Sequence, residues 1–221
     1  MIIAISGMIS SGKSTLTKNL KSTYQNSMML EEFDENDQVF NTYLKWCYEQ
    51  KPNLDISFQS YIVESLTELN KQSEAKFMEK YSHKNGFLFL DRFILEHYIF
   101  AVITLEKKEK KYLEAFDALF NCIYDSSTAP DLAIFLKISW NTFKTRIYER
   151  GRSVEIENFK QNEAYFKRLH KLYFELFEKL VNKYNIPFKI IKSDYKTDKE
   201  VLNEAKNIIN NFDFSNSKRF K

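Results

Sequence analysis

Apolar positions along the chain fall into two alternating patterns. Short runs rich in Ile, Leu and Phe stand at Ile2–Ser6, Phe87–Leu90, Leu132–Ile138 and Phe188–Ile191, with a weaker one at Met28–Leu30. Runs of this kind, bounded by turn-forming residues, read as buried strands. Between them, apolar side chains return at the three-to-four-residue interval of an amphipathic helix. That spacing predicts helices over Lys13–Tyr24, Asn36–Gln50, Ser57–Lys80, Leu95–Leu105, Lys110–Tyr124, Trp140–Glu149, Asn158–Tyr184 and Lys199–Asn210. Asp55 or Ser57 is placed to cap the long third helix, and Pro52, Pro130 and Pro187 fall in connections. Strands spaced by helices predict an α/β fold: a five-stranded parallel sheet flanked by helices on both faces, with ligands gathered at the carboxyl ends of the strands.

No repeat, low-complexity tract or linker interrupts the 221 residues, so a single domain over 1–221 is expected, with residues 212–221 as a frayed tail. A hydrophobic share of 43% against 29% charged residues is that of an ordinary globular chain. No apolar run reaches bilayer length and the first one breaks too early for a secretory signal, so a cytoplasmic protein without a membrane partner is expected. A net charge of +3 with acids and bases interspersed gives no footprint for a nucleic acid polymer and leaves a small anion as the expected partner. Cys47 and Cys122 stand alone, which indicates neither a disulfide framework nor a zinc site.

The first strand leads into GMISSGKS, Gly7 to Ser14, in a chain with only 4 glycines. The spacing G-x-x-x-x-G-K-[ST] between a strand and a helix makes a loop of backbone N–H groups that wraps phosphate oxygens. Gly7, Met8, Ile9, Ser10, Ser11, Gly12 and Thr15 belong to that cradle, Lys13 supplies a point charge, and Ser14 supplies a magnesium ligand.

Each later strand is followed by further chemistry. After the second comes Glu31-Glu32-Phe33-Asp34-Glu35, a solvated turn by composition, but one whose position lets a carboxylate take a proton from a hydroxyl attacking a γ-phosphate. After the third comes Asp91-Arg92, where the acid can hold magnesium and the guanidinium can bind phosphate or orient the base; a strand-capping salt bridge is the plainer alternative. After the fourth, RIYERGRSVE brings Arg146, Arg150 and Arg152 together around a helix end at Gly151. Three guanidiniums so close repel one another unless a polyphosphate arrives, which points to a lid over about 146–157.

Taken together these pieces resemble the deoxyribonucleoside kinase family, including its bacterial deoxyadenosine kinase branch. The resemblance rests on the phosphate loop, the acid after strand two, YEQKPNLDISFQ at Tyr48–Gln59, LDR at Leu90–Arg92 and RIYERGRSVE. It implies a P-loop kinase fold, ATP and Mg2+ as donor and metal, a deoxynucleoside as acceptor, and a homodimer. It assigns the general base for the sugar 5′-hydroxyl to Glu31, with Glu32 where the family usually has a proline. Tyr48 and Glu155 become the ligands of the sugar 3′-hydroxyl, Gln59 the reader of the base, and Phe58 its stacking partner. Arg92 joins the catalytic set with Lys13, Arg146, Arg150 and Arg152, and the loop IIKSDYKTDKE, with Asp194, surrounds the donor adenine. Leu66 and His97 stand where purine- and cytidine-accepting members carry an arginine and an acid, so base preference stays open, with Glu96 as a substitute acid or Gln59 acting alone.

Two other readings share parts of the pattern. A thymidylate kinase also has a phosphate loop, an Asp-Arg pair and an arginine lid, yet a carboxylate at the acceptor would repel its substrate phosphate. A nucleotide-dependent switch needs neither a lid of three arginines nor a second pocket, and the Asn182-Lys183 pair lacks the acid that reads guanine.

Overall fold

The computed structural model of the chain describes residues 1–32, 36–151 and 156–220. Five strands, β1 (Ile2–Gly7), β2 (Ser27–Leu30), β3 (Phe87–Asp91), β4 (Leu132–Lys137) and β5 (Phe188–Lys192), form one parallel sheet in the order β2-β3-β1-β4-β5. The central strand, β1, is buried along its whole length, which is why it reads as continuous Ile and Ala rather than as an alternation with polar residues.

Side chains still alternate between faces. Ile2 and Ala4, with Leu88, Leu90, Ala133 and Phe135, join one core, and Ile3 and Ile5, with Phe89, Ile134 and Ile191, join the other. The second core is closed by α1 (Lys13–Thr23) through Leu16 and Leu20, and by α8 (Asp198–Asn211) through Val201, Ala205 and Ile209. The first, larger core is closed by α3 (Asp55–Lys80), α4 (Ile94–Leu105), α5 (Lys110–Ile123), α6 (Trp140–Arg150) and α7 (Phe159–Lys183), with Phe77, Ile99, Phe116, Phe143 and Phe177 at its centre. The expected α/β sheet with helices on both faces is therefore the fold.

Helix α2 (Gln38–Tyr48) packs against α3. Asp37 caps it by accepting from the Phe40 N–H at 2.9 Å, and the same carboxylate accepts the Tyr61 hydroxyl of α3 at 2.8 Å. Phe40, Phe58 and Ile62 form a small apolar cluster between α2 and α3, apart from the two main cores.

One local expectation is corrected. Helix α3 begins at Asp55, and neither Asp55 nor Ser57 caps it: Asp55 pairs with Lys108 at 2.9 Å and the Ser57 hydroxyl donates to the Leu54 carbonyl. Arg219, in the C-terminal segment, meets two acids at the amino edge of the sheet. Its Nη1 lies 3.0 Å from Asp131 Oδ1 and its Nε 3.4 Å from Glu74 Oε1, while Ser217 donates to Asp131 at 2.6 Å. Among the described residues no helix is long and apolar enough to cross a membrane.

Candidate active site

The carboxyl ends of β1, β2 and β3 open into a cleft of about 1010 Å³ that runs from the phosphate loop to the apolar cluster between α2 and α3. At its floor the two glycines of the loop are there for distinct reasons. Gly7 has φ +140, and a Cβ on it would lie 2.6 Å from the Leu136 carbonyl oxygen and 2.8 Å from Ser11 Oγ. Gly12 has φ +97 and starts α1, a backbone shape that a side chain resists. The loop between them turns on the Ser11 N–H donating to the Met8 carbonyl at 3.1 Å, and Gly12 to Thr15 line the cleft where α1 begins. An anion there meets free N–H groups and the positive end of the helix.

Lys13 is 6% exposed, and its ammonium donates to the Met8 carbonyl at 3.1 Å. Burial, with the Arg92 charge behind it, pulls its pKa down from 10.5 to about 8. Asp91, at the end of β3, is buried as well; burial raises its pKa, while the Ser14 hydroxyl hydrogen-bonds it. Asp91 Oδ1 has no hydrogen-bond partner among the described residues. One hydroxyl and one carboxylate with an idle oxygen, beside a phosphate loop, fit the hard-oxygen donor set of Mg2+, which takes one or two carboxylates and fills its shell with phosphate and water.

Arg92 follows with φ +70, a left-handed backbone that turns its side chain into the protein. Its Nε donates to Glu32 Oε1 at 2.6 Å, its Nη1 donates to the Tyr173 hydroxyl, and its Cζ lies 4.9 Å from the centre of the Phe100 ring. The adjacent acids after β2 thus separate. Glu32, its side chain 18% exposed, belongs to the buried cluster of Lys13, Asp91 and Arg92. Glu31, 52% exposed, pairs with Lys18 of α1 at 3.4 Å on the rim. Both acids line the cleft, and Arg92 reaches Glu32.

Toward the far end, Tyr48, Phe58 and Gln59 line the same cleft. The Asn162 amide of α7 donates to the Tyr48 carbonyl at 3.0 Å, which fixes the end of α2. Phe58 stacks on Tyr43 with ring centroids 5.3 Å apart. Gln59 is 4% exposed, and its Oε1 has no partner among the described residues. A buried amide oxygen left idle costs free energy unless a ligand supplies the donor. His97 also lines the cleft, with Nε2 3.9 Å from Glu32, and burial holds its pKa well below the usual value, so the imidazole is neutral. Glu96 accepts through Oε2 from the Gly7 N–H at 3.0 Å and from the Tyr173 hydroxyl at 2.9 Å.

At the donor side, Arg146 donates to the Ser11 carbonyl at 3.1 Å and to the Ser193 carbonyl at 3.0 Å, joining the phosphate loop to the loop after β5. Arg150 lines the cleft, and Gly151, with φ +72, ends α6. Arg152 and Glu155, like Phe33, Asp34 and Glu35, lie outside the described residues. The Asp194 carboxylate accepts from the Ser139 N–H at 2.9 Å and from the Thr142 hydroxyl, at the start of α6.

A residue pattern described as deoxynucleoside kinase matches positions 3–213. The chain is 31% identical over 193 residues to an uncharacterised protein of Mycoplasma genitalium, covering 86% of this chain and 81% of that protein. It is 29% identical over 182 residues to the deoxyadenosine/deoxycytidine kinase of Bacillus subtilis, covering 78% and 74%. Among solved structures it is similar to deoxyadenosine kinase from M. mycoides with the products dCMP and a flexible dCDP bound, at a TM-score of 0.78 and 25% identity over 96% of this chain and all of that one. With the match running from the first strand to beyond the last helix, the chain belongs to the deoxynucleoside kinase family.

Proposed function

We propose that the whole chain acts as one kinase domain that transfers the γ-phosphoryl group of ATP, or of another nucleoside triphosphate, to the 5′-hydroxyl of a deoxyribonucleoside. The observation that carries this reading is the group of buried Lys13, Asp91 and Arg92 with the half-buried Glu32, set between a phosphate loop and an apolar pocket that ends on the idle amide oxygen of Gln59. A base carboxylate between a phosphate cradle and a nucleoside-sized pocket suits an uncharged alcohol as acceptor.

In this reading the loop N–H groups from Met8 to Thr15 and the Lys13 ammonium hold the β- and γ-phosphates. Ser14 and Asp91 hold Mg2+, which when bound neutralises charge on those phosphate oxygens. Tyr48 and Gln59 place the nucleoside so that its 5′-oxygen faces the γ-phosphorus. Glu32 takes the hydroxyl proton as the new O–P bond forms and the bond to the β-phosphate oxygen breaks, and ADP leaves. Arg92 keeps Glu32 oriented, and Arg146 and Arg150 balance charge on the transferring group. Arg152 and Glu155 complete the lid and the sugar site on the strength of the family resemblance, which also suggests a homodimer working in the cytoplasm.

The test is a panel of four deoxynucleosides and their monophosphates with ATP and Mg2+. Turnover of at least one nucleoside is expected. Consumption of dTMP with no nucleoside turned over would replace this reading by a thymidylate kinase, and ATP binding without any transfer would replace it by a nucleotide-dependent switch.

A further inference from the structure

Glu96 has no task in the reaction just described, yet it is 0% exposed and burial raises its pKa, so keeping it charged is costly. Its contacts explain its presence. Oε2 accepts the N–H of Gly7, the first residue of the phosphate loop, at 3.0 Å, and the Tyr173 hydroxyl of α7 at 2.9 Å. The same oxygen lies 3.5 Å from Arg92 Nη1, and Arg92 donates in turn to Tyr173. Arg92 is thus gripped at one edge by Glu96 and Tyr173 and presents the opposite edge, Nε, to Glu32 at 2.6 Å. Three elements distant in sequence, the end of β1, the start of α4 and the middle of α7, meet at this one carboxylate.

We infer that Glu96 is a positioning residue for phosphoryl transfer: it fixes Arg92 against the phosphate loop, so that donor cradle and base carboxylate keep one geometry. The inference rests on the nucleoside-kinase reading. A guanidinium held at one edge has a single way to offer the other, whereas one held by Glu32 alone can swing with it. The left-handed backbone of Arg92 is what lets one side chain reach both acids, and it persists because both ends are held. Since Glu96 touches neither nucleotide nor nucleoside in this arrangement, its loss acts on the transition state and not on ground-state binding.

The E96Q variant keeps the volume and an acceptor for Gly7 but removes the charge that holds the guanidinium. Its kcat is expected to fall by about tenfold to a hundredfold, the range that misplacement of a reacting group costs, while KM for ATP and for the nucleoside stays within about threefold. Y173F, which deletes the hydroxyl between Arg92 and Glu96 and leaves both charges, is expected to lower kcat by about threefold at unchanged KM, and the double variant to be no slower than E96Q alone. If E96Q does not fold, Y173F decides on the same split. Active wild-type protein with undiminished kcat in the variants, or with KM rising as much as kcat falls, overturns the inference alone. Wild-type protein that phosphorylates no deoxynucleoside overturns the kinase reading and this inference with it.

Discussion

Replacing Lys13 by Met should make the nucleotide-free protein more stable while destroying its ability to use ATP. The ammonium is buried with one carbonyl partner, and its pKa falls from 10.5 to about 8. At 1.36 kcal/mol for each pKa unit, holding that charge at pH 7 costs about 3 kcal/mol. Methionine fills nearly the same volume without the charge, but leaves the Met8 carbonyl without its donor, which returns about 1 kcal/mol. The net gain of about 2 kcal/mol corresponds to roughly 4–8 °C in Tm for a chain of this size. The sign with pH follows from linkage. Between about 8 and 10.5 the unfolded chain binds a proton at this lysine that the folded chain does not, so the wild-type protein gains stability as pH rises through that window and carries the full penalty below it. The K13M protein lacks this rise. Thermal melts without nucleotide, from pH 7 to 10, read both effects, and saturating ATP should raise the wild-type Tm but not that of K13M. A K13M protein that melts below wild type at pH 7, or that keeps the wild-type rise between pH 8 and 10, would refute the reasoning.

Two further outcomes follow from separate parts of the molecule. Arg219→Ala leaves Asp131 with the Ile2 N–H and the Ser217 hydroxyl but without its cation, and should cost about 2 kcal/mol of stability with kcat unchanged; urea titration beside a rate assay checks it, and a lower kcat at full folding would contradict it. Asp91→Asn keeps the shape of the site but removes the negative charge proposed to hold Mg2+, so the Mg2+ concentration for half-maximal rate should rise by about tenfold or more; an unchanged Mg2+ curve would remove Asp91 from the metal site.

Much of this was legible in the sequence because it is local. A buried strand, a glycine-spaced loop and a helix are set by adjacent residues, and the parallel sheet follows from strands spaced by helices. Tyr48, Phe58 and Gln59 could be placed at the cleft from the family pattern, and the structure puts them on its wall. What was not legible depends on which way a side chain turns at the end of an element. Glu31 and Glu32 are chemically alike, and only Arg92, sixty residues away in the chain, separates them. The grip of Glu96 on Gly7 spans 89 residues and that of Tyr173 on Glu96 spans 77, so neither leaves a local signal beyond an acid four positions after Arg92. The contact of the Asp194 carboxylate with the start of α6, whose N–H groups attract it, joins residues 55 positions apart. The contacts of Arg219 with Glu74 and Asp131 likewise join residues that the chain order does not place nearby.

The most direct test of the account is the kcat of E32Q set beside that of E31Q, with the nucleoside that the panel identifies and saturating ATP and Mg2+. Glu32 as the proton acceptor predicts that E32Q loses at least about a hundredfold in kcat with little change in KM, while E31Q, which gives up an exposed pair with Lys18, stays within about threefold of wild type. The reverse pattern, or two variants equally impaired, would contradict it.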